Sequence, residues 1–174
     1  MSKNNGIKRS SGDGFDRIQW LTADGVTRSL RADDAAAASL IIPSERTRRP
    51  GKYQGQQAYQ GHYWCAGTER LVFHESMAEY SGIMLLDHLH DIVGIYAQPL
   101  LLTFGDGTFH YPDYLVDDAD GTRMLVDIHP KSLTTEAHER AFEATRRLCE
   151  RLGWSFVLID ELSRNVAFWW SDAA

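Results

Sequence analysis

Apolar and polar positions alternate, cluster and recur along the chain in patterns that lay out its elements one after another. Phe15, Ile18 and Trp20, then an Asp24-Gly25 turn, then Val26 and Leu30 predict a β-hairpin over Phe15 to Arg31. The alanine run Ala35 to Ala38 predicts a short helix that ends by Pro43, and Leu71 to His74 a short strand. From Ser76 to about Leu89, Met77, Tyr80, Ile83, Met84, Leu86 and Leu89 cover more than one helical face, so this helix should be well buried. An apolar run, Ile92 to Tyr96, breaks at Gln98-Pro99. Leu100 to Phe104, a Gly105-Asp106-Gly107 turn and Thr108 to Tyr111 predict a second hairpin.

Tyr114 to Val116 and Met124 to Ile128 are two further strands, joined by the turn Asp117 to Gly121. Thr135 is an N-cap for a second long helix, with Glu136 and Glu139 in its first turns, Arg146, Arg147 and Arg151 towards its end, and Gly153 just past it. Ala141, Thr145, Leu148 and Leu152 form its apolar stripe, and Trp154 to Ile159 then reads as a continuous, buried strand of the parallel kind. Val166 to Trp170 is aromatic enough to pack back on the core. Helix, antiparallel strands, helix and strand in this order predict a mixed α/β domain with a central sheet and helices on its faces.

Composition sharpens this picture. With 174 residues, 43% hydrophobic and 11% aromatic, the chain can build one sizeable core. The expected division is a disordered tail over 1–14, a hairpin extension over 15–48 and a main domain over 49–174. No apolar run approaches membrane-spanning length, and the polar N-terminal segment lacks a signal-peptide core. The two cysteines, Cys65 and Cys149, lie far apart without a CxxC. That argues against structural zinc and a disulfide framework, and makes a reducing cytoplasm the expected location. A net charge of −6 argues against a protein held on nucleic acid by bulk charge. It does not exclude a nuclease, because clustered acidic ligands lower net charge and a bound cation reverses the local field. One stretch runs the other way: Arg46, Arg48, Arg49 and Lys52 are interleaved with Tyr53, Tyr59, Tyr63 and Trp64. Such an arm can track phosphates and stack on bases, or can be a surface loop whose aromatics pin it to the core.

The chemistry concentrates at the ends of the two central strands, in His110-Tyr111-Pro112-Asp113-Tyr114 and Val126-Asp127-Ile128-His129-Pro130-Lys131. Strand alternation points Asp127 and His129 into one cleft, and Asp113 at a strand start can reach the neighbouring strand's end. A hard cation, Mg²⁺ or Mn²⁺, would take Asp113, Asp127 and the Ile128 carbonyl, keeping waters for hydrolysis. The plainer alternative has Asp113 capping a turn and Asp127 paired with an arginine. Glu79, in the first turn of the buried helix, could complete the site. Ser76-Met77-Ala78-Glu79 also matches a capping box, which gives Glu79 a structural role. His88 and His90 are two apart and face different ways on a helix, and a calcium loop near Asp118 would begin at Val116, which cannot ligate.

His74 to Tyr80, Leu85-Leu86-Asp87, Val93-Gly94-Ile95, Gln98-Pro99, Pro112-Asp113-Tyr114 and Val126 to Pro130, in this order, resemble the TnsA-like endonuclease subunits of heteromeric bacterial transposases. Arg49-Pro50, Tyr53, Gly55-Gln56 and Trp64 look like the lead-in of some members. These belong to the PD-(D/E)xK, restriction-endonuclease-like nucleases, and the resemblance covers roughly Arg49 to the C-terminus. It implies a restriction-endonuclease-like fold and a subunit that cuts double-stranded DNA at the 5′ ends of a mobile element. A partner transposase would handle the 3′ ends, and a homodimer is also admitted. By the same resemblance Glu79, Asp113 and Asp127 would bind metal and Gln98 would support the site; in the basic and aromatic arm, Arg46, Arg48, Arg49, Lys52 and Tyr53 are the candidate DNA contacts. His129 stands where the family has lysine, and Lys131, of the same strand parity, is the other basic candidate. The departure leaves three readings: an active nuclease in transposition, a degenerate nuclease fold that binds DNA or a transposase without cutting, or a nuclease of defence or repair.

Overall fold

A computed structural model describes residues 14–44, 46–47 and 59–160. Its elements are β1 Arg17–Leu21, β2 Thr27–Arg31, α1 Ala35–Ser39, β3 Gly61–Cys65, β4 Arg70–His74, α2 Met77–Leu89, β5 Ile92–Ala97, β6 Leu101–Thr103, β7 Phe109–His110, β8 Tyr114–Asp118, β9 Arg123–Ile128, α3 Glu136–Leu152 and β10 Ser155–Ile159. This is the mixed α/β class expected from the pattern. The central sheet has the order β10-β9-β8-β5, antiparallel throughout except for the parallel pair β9–β10.

The strands β8 and β9 explain why the rest is arranged around them. Their side chains alternate, yet both faces are apolar, as in sheets covered on both sides. Tyr114, Val116, Met124, Val126 and Ile128 share a core with Ile83 and Leu86 of α2. Leu115 and Leu125 share the other core with Leu148 of α3 and Ile18 of β1. Helix α2 starts at an N-cap, Ser76, whose hydroxyl accepts the Glu79 amide, and α3 starts at Thr135 and ends at Gly153 in a left-handed conformation (φ 70°) that glycine adopts without strain. Where α2 crosses the sheet, Gly82 lies so close that a Cβ there would stand 2.5 Å from Cδ1 of Ile128.

Three expectations need correction. The hairpin β1–β2 is not an appended extension. Strand β1 pairs antiparallel with β6 (Ile18 with Leu102), making a second sheet, β2-β1-β6-β7. Leu100, Leu101 and Leu102 are all fully buried, and such a segment needs cover on both sides, which Ile18, Ala38 and Ile41 provide on one. The stretch expected as an aromatic arm contains β3, paired antiparallel with β4 through Tyr63 and Val72. Its turn is tied to α2 by Asp87, whose carboxylate accepts from the Tyr63 hydroxyl (2.9 Å) and the Ala66 and Gly67 amides (2.9 and 3.2 Å). Burial works against the Asp87 charge, and these donors together with the Cys65 thiol outweigh it, holding the carboxyl below its usual range. Strand β10, expected to be fully buried, is the edge of the sheet among the described residues, and its Leu158 is exposed. Val166 to Trp170 lies outside the described residues, as do Arg48, Arg49, Lys52 and Tyr53. No helix among the described residues is long and apolar enough to cross a membrane.

The close approach at Gly82 is testable. Gly82→Ala should destabilise the protein by about 1–3 kcal/mol through overpacking against Ile128, read as a lower urea midpoint. Ile128→Val alone should cost roughly 0.5–1.5 kcal/mol. In the Gly82→Ala background it should cost less, because it removes the clashing atom; simple additivity of the two would rule out this contact as the cause.

Candidate functional site

An open cleft of about 800 Å³ lies where β8 begins and β9 ends, between Glu75 and Glu79 at the start of α2, the first turns of α3 and the β6–β7 turn. The strand register pairs Tyr114 with Val126, which sets Asp113 and Asp127 on the next rung, facing each other. The two acids grip the backbone reciprocally. Asp127 Oδ1 accepts from the Asp113 amide (3.2 Å), and Asp113 Oδ2 accepts from the Ile128 amide (2.9 Å). Asp127 is 4% exposed. Burial first, then the charges of Asp127 and Glu79, push the Asp113 carboxyl well above the usual range, and the Ile128 amide only partly opposes them.

Glu79 is held by its own helix start. Its Oε2 accepts from the Glu75 amide (2.8 Å) and the Tyr114 hydroxyl (3.1 Å), and Oε1 lies 3.3 Å from the Ser76 hydroxyl. Only half of the expected capping box is formed: Ser76 Oγ accepts the Glu79 amide (3.1 Å), but the Glu79 carboxylate takes the Glu75 amide and not that of Ser76, and the side chain still lines the cleft. Burial raises its carboxyl as well. Beside it, Glu75 Oε1 is buried without a hydrogen-bond partner.

On the α3 side, three histidines close the cleft. His129 continues the parity of Asp127 and meets His138 edge-on (centroids 4.6 Å apart) and Phe142 (5.5 Å). Its Nε2 is buried with no partner, while its amide donates to the Ile159 carbonyl (2.9 Å). His138 sits at the third position of α3, where its Nδ1 accepts from the Thr135 amide (3.3 Å), so the ring completes a capping box usually closed by Glu or Gln. His110 places Nε2 2.9 Å from Asp127 Oδ2 and Nδ1 2.7 Å from the Thr145 hydroxyl. Because Thr145 gives its own proton to the Ala141 carbonyl (2.8 Å), it accepts from His110 Nδ1. The approach to Asp127 is an ion-pair distance only, since Asp127 Oδ2 is buried and accepts no hydrogen bond among the described residues.

The structure thus brings Glu79, Asp113, Asp127 and His129 around one cleft. It does not bring Lys131 there: Pro130 ends the strand, and Lys131 lies exposed in a 3-10 turn, its amide donating to Asp160 Oδ1 (2.8 Å). Gln98 is buried away from the cleft lining, and its amide donates to the Asp113 carbonyl (2.7 Å). Asp127 faces a histidine, not an arginine. Glu75, His110 and His138 received no role from the sequence. His110 stood inside the His110–Tyr114 segment at the strand ends, but its partner Thr145 is 35 positions away.

Among the described residues no three His, Cys, Asp or Glu side chains converge as a closed metal-binding set. A hard cation that keeps most of its waters needs only one or two carboxylates, and the mutual repulsion of Asp113, Asp127 and Glu79 is the field that such an ion relieves. The Asp113–Asp127 pair supplies the oxygen donors that Mg²⁺ or Mn²⁺ would take. No protein-family model matches the chain, and no curated protein matches it.

The raised carboxyl has a definite sign in stability. Folded Asp113 keeps a proton that the unfolded chain has released, so stability falls as pH rises from about the ordinary value of 3.8 through the higher folded one. Asp113→Asn keeps an acceptor for the Ile128 amide and removes the charge. Its melting temperature at pH 7 should exceed that of wild type by roughly 2–4 °C per kcal/mol relieved, with a shallower decline between pH 4 and pH 7. Identical pH profiles would contradict this electrostatic account.

Proposed function

We propose that the protein is a metal-dependent DNA endonuclease of restriction-endonuclease-like fold, the cutting subunit of a TnsA-like transposition system working with a partner transposase. The observation that carries the reading is the reciprocal clasp of Asp113 and Asp127 on adjacent strands in an open cleft. The mixed central sheet with α2 and α3 on its two faces is consistent with it. Asp113 and Asp127 would hold Mg²⁺ with the Ile128 carbonyl, and the bound ion would acidify a water and neutralise charge developing on the phosphate.

The chain's own groups divide the remaining work. Glu79, fixed by the Ser76 cap and Tyr114, keeps the acidic wall in place. His129 has the one ring nitrogen in the cleft that is buried and uncommitted, and it sits two residues from Asp127. It is the group placed to orient a water or accept its proton, with His138 and Phe142 fixing its ring. Lys131 takes no part.

The test is nicking of supercoiled DNA with Mg²⁺ or Mn²⁺, by the protein alone and with its partner. Wild type should nick. Asp113→Ala and Asp127→Ala should each abolish cutting, and His129→Ala should slow it by roughly 10²–10⁴-fold. Cutting that survives the double alanine variant would sink the assignment.

A second reading, a nuclease fold that binds DNA or a transposase without cutting, is favoured by two details. His110 Nε2 stands 2.9 Å from the Asp127 oxygen that the Asp113 amide leaves free, and both oxygens of Glu79 accept hydrogen bonds. Failure to bind Mn²⁺ by calorimetry, with DNA binding intact, would select it.

A further inference from the structure

Away from the cleft, a groove of about 320 Å³ runs between the β3–β4 hairpin and the end of β5, with Arg46, His62, Arg70, Phe73 and Tyr96 among its walls. Among the described residues no aspartate or glutamate lines it. In this acidic protein Arg31, Arg123, Arg140, Arg146, Arg147 and Arg151 each lie beside a carboxylate. Arg46 and Arg70 have no ion-pair partner among the described residues, although both are exposed. An arginine left without an anion in a chain of net charge −6 is a donor fork open to one from outside.

The groove is also built rather than incidental. Thr47 donates through both its amide and its hydroxyl to the Gln98 carbonyl (2.9 Å each), which fixes the backbone beside Arg46. Gln98 presents that carbonyl from a left-handed conformation (φ 47°) that non-glycine residues seldom adopt. The Arg46 guanidinium carbon lies over the Phe73 ring, 3.9 Å from its centroid. His62, opposite Phe73 in the strand register, meets the same ring edge-on (5.7 Å).

This groove is joined to the cleft by single hydrogen bonds. The Tyr114 hydroxyl reaches both the Phe73 carbonyl (3.0 Å) and Glu79. Gln98, which anchors Thr47, also donates its amide to Asp113. We infer that the groove binds the phosphate backbone of the DNA duplex flanking the point of cleavage, with Arg46 and Arg70 as the phosphate contacts. The inference rests on the DNA-acting reading above, and it names a surface that the two carboxylates do not form.

The experiment is fluorescence anisotropy with a labelled duplex in EDTA, so that binding is separated from cutting, across a salt series. The Arg46→Ala/Arg70→Ala variant should bind at least about tenfold more weakly, and its slope of log affinity against log salt should fall by about 2. Arg46→Lys/Arg70→Lys should retain most of the slope, and Arg28→Ala on β2 should match wild type. Unchanged affinity and slope in the alanine variant overturn the groove as a DNA site, as does loss of the slope in the lysine variant, or displacement of duplex by a mononucleotide at equal phosphate concentration. If wild type itself binds no duplex, the DNA-acting reading falls with it. If the alanine variant binds normally while Asp113→Ala loses cutting, the groove alone fails.

Discussion

Everything at the cleft depends on two carboxylates being held face to face by the backbone of a rigid strand pair. Asp113 and Asp127 each surrender one oxygen to an amide on the other's strand, which fixes their positions to the strand register and not to flexible side-chain choice. Such a pairing is unfavourable in isolation, since burial and like charge both oppose ionisation. It persists because β8 and β9 are covered on both faces, by α2 on one side and by α3 with the N-terminal hairpin on the other. The stability of that sandwich offsets the cost of the site, as strained or charged arrangements at functional positions generally require.

What could be read in the sequence was what local chemistry determines. Ser76, Thr135 and Gly153 end their helices as side-chain and backbone rules dictate, and the 105–107 turn closes β6–β7 with Gly107 at φ 86°. Strand parity placed Asp127 and His129 on one face, and the structure has both on the α3 side of the cleft. What could not be read was long-range. Leu100 to Leu102 is apolar without a period, so nothing local announces that β1 is its neighbour. In β3, aromatic side chains occupy both faces, so alternation is hidden and basic residues nearby dominate the reading. Parity also misled once: Lys131 has the right phase, but Pro130 turns the chain before phase can matter.

Charge in this molecule is sorted by location. The acidic groups collect at the strand ends, where an approaching polyanion would be repelled unless a cation intervened. The arginines of α3 are mostly neutralised by their own helix: Arg140 by Glu136, and Arg146 and Arg147 by Glu143. These exposed pairs add little to stability, but they remove positive field from that face. Arg46, over Phe73, and Arg70 have no ion-pair partner among the described residues and line a different groove from the one the acids line. A net charge of −6 therefore says less about partners than its distribution does.

The histidine at position 129 is best understood through its neighbours. A lysine ammonium has three donors and no acceptor, and it needs water or a carboxylate around it. At 129 the surroundings are instead the rings of His138 and Phe142, with Phe142 in turn against His110 and Phe156. Such a wall suits a flat ring, which packs through its faces and edges and leaves one nitrogen toward the cleft. If a basic residue had simply been lost from an older site, the surrounding wall would have no reason to match an imidazole. Here His138 does double duty, capping α3 through Nδ1 while its ring seats His129. The wall and the residue it holds form one packing unit. The position that departs from the resembling family is thus a built part of this cleft, and its chemistry should be sought in the imidazole itself.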